Sequence, residues 1–166
     1  MIRRRLLVAA GLTTSLAVVF ASLASHPMMP DPKLTPGATD TAVTQATIKT
    51  TICVAGYTKT VRSVSEAERQ EVATRYGVPV EDLKSRVEVD HFESLEIGGS
   101  NDLANLWPQY YRIAGDPPEY LGAREKDVVE DSLHRAVCSG KMTLAEAQEA
   151  IRSWPDIYRR IKRIKE

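Results

Sequence analysis

Asp90 and His91 stand side by side in a run whose apolar members are Val87, Val89, Phe92, Leu95 and Ile97, with Gly98-Gly99 closing it. Adjacent side chains of a strand point to opposite faces. A carboxylate and an imidazole on neighbouring residues therefore serve one site only if the strand bends or bulges between them. The spacing predicts two short apolar strands around such a bend, with the glycine pair as the turn signal that follows. Asn101 and Asn105 fall in the polar turn beyond, and Leu106-Trp107 reads as its hydrophobic anchor, with Trp107 expected in the core.

The chain opens Met1-Ile2-Arg3-Arg4-Arg5, continues with an apolar run from Leu6 to Leu23, and offers small residues at Ser22 and Ala24. This is the layout of a secretory signal peptide over residues 1–24. An uncleaved membrane anchor is the alternative, weakened by Gly11, Thr13, Thr14 and Ser15 within the run. No cysteine follows it, so a lipid anchor at that point is excluded. The expected location is secreted or periplasmic, without stable membrane association after cleavage. Losing three arginines from 22 basic residues leaves 19 against 22 acidic ones. A near-neutral mature chain is poorly suited to coating nucleic acid, although a nuclease needs only a local cationic track. The two cysteines, Cys53 and Cys138, pair in only one way. In an exported protein they read as a disulfide, for which chain entropy gives roughly 4–5 kcal/mol and measured bridges about 2–4.

Residues 25–41, rich in Pro, Thr and Asp, read as a flexible leader, and 42–166 as one folded domain. From Ala42 to Arg62, valine, isoleucine and threonine give β-favouring composition, broken at Gly56. Ser65 to Glu68 is a capping box opening a helix to about Tyr76, with Gly77 as its stop. Val78 to Arg86 is a short polar element, and Gln109 to Pro118 reads as a loop. The strongest helix runs from Glu119 to Cys138, where Val129, Leu133, Ala136 and Val137 recur at helical spacing. A second capping box at Thr143–Glu146 opens a helix to Trp154, and Pro155 starts a last one ending in the basic tail Arg159–Lys165. That tail reads equally well as a solvated helix end or as a phosphate-backbone contact.

Asp90-His91, Leu95-Glu96, Gly98-Gly99-Ser100 and Asn105-Leu106-Trp107-Pro108 resemble the HNH nuclease superfamily, the ββα-metal fold, and within it a group of exported bacterial proteins. Lys126-Asp127, Glu130, Leu133-His134 and Val137-Cys138 continue the likeness, which covers about residues 35–158. The resemblance implies an α+β fold: a small β-hairpin plus helix core with additional N- and C-terminal helices. It also implies a metal-dependent endonuclease acting on DNA, or RNA as the lesser choice. In that role His91 is the general base that activates water, Asn105 orients it, and Asp90 is a metal ligand. The ion is divalent: magnesium, manganese or zinc.

The ligand from the following helix departs from the commoner pattern. Asp127, Glu130 and His134 are the candidates, the last two four residues apart and so on one face. Lys126 precedes Glu130 by the same interval, and an ordinary solvated ion pair is the plainer reading of those two. Lys126 or Arg124 is a candidate phosphate contact. The rival expectations are a catalytically silent binding or interaction module on the same scaffold, and a secreted toxin with a neutralising partner.

Overall fold

The computed structural model describes residues 26–164, and the signal peptide expected over residues 1–24 lies outside them. Neither a flexible leader nor early β structure is found. Residues 26–41 run along the fold. Thr35 is fully buried, its hydroxyl donating to the Leu106 carbonyl at 2.8 Å and bonded to the Tyr76 hydroxyl at 2.7 Å. Thr39 pairs with Gly99 in an isolated antiparallel bridge. From Ala42 onward the backbone makes turns, a 3-10 turn at Ile48–Thr50 and the one-turn helix α1, Tyr57–Val61. The threonines decide this locally. The Thr47 hydroxyl donates to the Ala42 carbonyl at 2.8 Å, and that of Thr51 to the Thr47 carbonyl at 2.7 Å. Such short-range bonds offer the backbone an alternative to a sheet ladder.

Helix α2, Glu66–Tyr76, starts at the expected capping box. Glu68 donates its N–H to the Ser65 hydroxyl, and its carboxylate accepts the Ser65 N–H at 2.7 Å. Gly77 ends the helix in the left-handed region at φ 65°. Strand β1, Val87–His91, follows, and it pairs antiparallel with β2, Leu106–Tyr110, from Val87 opposite Tyr110 to His91 opposite Leu106. The second strand is therefore the anchor segment, not the stretch before Gly98, which forms a 3-10 turn at Leu95–Ile97. Pro108 sits opposite Val89 without an N–H to give. In a sheet of two strands each strand is an edge, where proline is tolerated.

The long connection between the strands is laced by one side chain. Asn105 accepts the Glu93 N–H at 2.8 Å and donates to the carbonyls of Glu93 at 2.9 Å and Ser100 at 2.7 Å. Gly99 is fixed by close approach, since a Cβ there would lie 1.8 Å from the Glu93 carbonyl oxygen.

Helix α3 spans Ala123–Cys138, starting later than expected, and the Glu125 carboxylate accepts the Gly122 N–H at 2.9 Å to close its first turn. Val129, Leu133 and Val137 form its buried stripe. They meet Ile48, Ile52, Ile97 and the buried residues of α4, Leu144–Ile151, and α5, Trp154–Ile164. Full burial of each large side chain is worth about 1.5–3 kcal/mol. Cys53 and Cys138 are joined, with Cα atoms 5.5 Å apart, which ties the turn region to the end of α3. The class is mixed α+β, a two-stranded antiparallel hairpin with several helices. Among the described residues no helix is long and apolar enough to cross a membrane.

Candidate functional site

The hairpin presents two faces. Val89 packs with Val72 of α2 and Leu106 on one of them. Glu88 and Asp90 lie on the other, opposite Gln109 and Trp107 in the register. This second face meets the start of α3. Pairing stays regular to His91, so the expected bend is absent and the side chains of Asp90 and His91 go opposite ways.

On the α3 face the focus is a cation. The Lys126 side chain is fully buried, and its Nζ donates to Asp90 Oδ2 at 2.7 Å, to the His91 carbonyl at 2.7 Å and to Glu130 Oε1. Asp90 and Glu130, read as metal ligands, are thus brought together, but around an ammonium. Burial by itself lowers a lysine pKa. Here the carboxylates of Asp90 and Glu130 more than reverse it, and the pKa of Lys126 is raised. Burial pushes Glu130 up, to about 7, against the pull of Lys126. The lysine keeps its proton because three oxygens share it.

Burial raises Glu88 too, with Asp90 adding to it, although the Tyr111 hydroxyl donates to Glu88 Oε2 at 2.7 Å. Burial and then Asp90 raise Asp127. Glu88, Asp127 and Glu130 thus each hold a proton more firmly than usual beside a single neutralising charge.

A divalent ion does not fit this arrangement. The point between Asp90, Glu130 and the His91 carbonyl is taken by Nζ. Among the described residues no three His, Cys, Asp or Glu side chains converge on a common point. His134, the other expected ligand, is one turn further along α3 and bonds through Nε2 to the Ile52 carbonyl at 2.8 Å. It lines a cleft of about 360 Å³ together with Glu96 and residues 52–58. Glu96 was not singled out as a site residue. Its pKa is raised by burial, and its Oε2 has no hydrogen-bond partner.

His91 lies on the α2 side and is 1% exposed. Its Nε2 is 3.1 Å from Oδ1 of Asn101, not of Asn105. The Asn101 amide is oriented by its own bonds: Oδ1 accepts the Ser63 N–H at 3.1 Å and Nδ2 donates to the Val61 carbonyl at 2.8 Å. An amide oxygen only accepts, so Nε2 carries the hydrogen and Nδ1 the lone pair. Nδ1 is buried without a partner, and burial lowers the pKa of the ring. The imidazole is therefore neutral, of fixed tautomer, and covered. Asn105, expected to orient it, holds the connection between the strands instead. Nothing in the wording separates Asn101 from Asn105, because the difference is made by the Val61–Ser63 segment returning to the turn.

Lys126, with no exposed surface, offers no phosphate contact in this arrangement. Arg124 is exposed, with its guanidinium 5.6 Å from the centre of the Tyr111 ring. A second buried acid was also missed: Glu93, fully buried, reaches Arg152 at 2.5 Å.

Comparison with family models, with curated proteins and with solved structures gives no match for this chain. The HNH resemblance rests on the residues quoted for it.

Proposed function

We propose that this chain is an exported module that keeps the wording of an HNH site but acts by binding, without hydrolysing phosphodiesters. One observation carries the reading: the ammonium of Lys126 lies among Asp90, Glu130 and the His91 carbonyl. Vacating that point costs more than an exposed ion pair would. Separating a buried lysine from its carboxylates leaves uncompensated charge, at about 3–5 kcal/mol. The covering of His91 supports the same reading, since a general base has to reach a water. The disulfide suits an oxidising compartment.

Plasmid nicking with magnesium, manganese and zinc tests this directly. The expected result is no cleavage, and no heat when the same ions are titrated into the protein. Cleavage by the wild type that disappears in His91→Ala overturns the proposal.

That outcome belongs to the second reading, a metal-dependent HNH endonuclease. It is favoured by the anchored Nε2 and free Nδ1 lone pair of His91, the state in which an imidazole takes a proton from water. In this reading Asp90 and Glu130 would hold the ion, which would supply charge stabilisation at the phosphate. It requires Lys126 to leave their carboxylates and His91 to be uncovered.

A further inference from the structure

The proposed function leaves unused the cleft of about 360 Å³ lined by the turn segment 52–58, Glu96 and His134. It lies toward the disulfide end of α3, with His134 about two turns, or roughly 12 Å, beyond Lys126 along the helix axis. Its polar groups are acceptors. The Ile52 carbonyl can only accept, so Nε2 of His134, 2.8 Å from it, carries the hydrogen. In the neutral ring the lone pair is then on Nδ1. Glu96 Oε2 is buried without a hydrogen-bond partner, which leaves Oε1 as the oxygen a ligand can reach. The carbonyls of Cys53 and Ala55 also accept no hydrogen bond among the described residues.

No lysine or arginine lines this cleft. Arg135, next to His134 on α3, is engaged with Asp131 at 3.5 Å. Asp131 and Asp127 both add to the rise that burial gives the Glu96 carboxyl, so the local field is negative. An anion is repelled from such a place. A divalent ion finds too few ligands, since no three His, Cys, Asp or Glu side chains converge among the described residues. A cation bearing N–H groups answers both needs, charge for the carboxylate and hydrogens for the acceptors. A guanidinium pairs best through both carboxylate oxygens, and here one is sealed. An ammonium needs only one oxygen and comes on a flexible methylene stem. Ile52, Val54 and Tyr57 supply apolar wall for that stem, and an aromatic face attracts the charge as well.

We infer that this cleft binds an alkylammonium group, with Glu96 as its counter-charge, His134 accepting one of its hydrogens, and Ile52, Val54 and Tyr57 along its methylenes. The site is separate from the Lys126 group and goes beyond the proposed function. Free polyamines and the lysine side chains of other proteins both carry the group.

Backbone amide spectra of the full mature chain, titrated with n-butylammonium chloride, test the inference. Saturable shifts are expected around residues 52–58, 96 and 134, and none there with sodium butyrate or n-butanol. Glu96→Gln keeps the shape and removes the charge. It should weaken binding at least about tenfold, with a melting temperature no lower than that of the wild type. Val54→Arg, at a position 47% exposed, places a cation in the wall without touching the core and should weaken binding as well. Spermidine and a blocked lysine peptide then compete with n-butylammonium. Displacement by the peptide alone assigns the site to a protein partner, and displacement by spermidine to a free polyamine. Displacement by neither overturns the inference. So do equal shifts with butyrate or butanol, unchanged binding in either variant, or no saturable shift at all. Plasmid cleavage bears on the Lys126 site alone, so the failure of one reading is distinguishable from the failure of the other.

Discussion

Lys126 separates the sequence reading from the structure at the scale of single residues. Its spacing to Glu130 is that of a surface ion pair, and a sequence cannot distinguish such a pair from one sealed by a third partner across a hairpin. Asp90 is that partner, 36 positions away. Truncating the lysine leaves buried carboxylates facing each other, so Lys126→Ala should cost about 3–5 kcal/mol in chemical denaturation. It also empties the point between them. Manganese should then raise the melting temperature of the variant and leave that of the wild type unchanged.

The acid group makes stability depend on pH. Glu130 rises from an ordinary 4.5 to about 7 on folding. The folded state therefore holds the proton more tightly, and this contribution is complete below about 4.5 and lost as pH rises through about 7. Its size is on the order of 3 kcal/mol. Glu88, Glu93 and Glu96, all raised by burial, act in the same direction. His91 acts in the opposite one, contributing stability above 6.5 that is lost as pH falls through its lowered value. Denaturant titrations across this range should show a shallower fall with rising pH in Glu130→Gln than in the wild type. Equal slopes would remove Glu130 as the cause.

At the scale of elements, legibility follows how local the deciding interaction is. Both serine and threonine capping boxes are written within four residues, and α2 and α4 begin where those residues place them. The second strand was hidden because Leu106-Trp107-Pro108 neither alternates nor avoids proline, and only pairing with Val87–His91 makes it a strand. The threonine-rich segment misleads in the opposite sense, its hydroxyls closing turns that composition reports as extended chain. The connection between the strands depends on two features that nothing can replace nearby. Gly99→Ala would drive a methyl into the Glu93 carbonyl and should abolish a cooperative thermal transition in circular dichroism. Removing the bridge with Cys53→Ser and Cys138→Ser should cost about 2–4 kcal/mol, measured against the oxidised wild type.

Across the whole molecule, charge is neutral in sum and divided in place. Carboxyl groups gather where the hairpin meets α3, and guanidinium and ammonium groups line a groove beside α5. Total composition, which balances 22 against 22, hides this division because it averages over faces that only folding separates. The class of fold and the covalent staple were legible in the sequence. The inward turn of Lys126 was not, since it takes the hairpin and helix together to build a pocket for it.

A positive charge carried on a side chain has one consequence that a bound ion would not share. It cannot be stripped by a competing chelator, nor does it wait on the trace ions of the surroundings. Folding that depends on it should be indifferent to EDTA, with melting curves superimposable before and after exhaustive treatment.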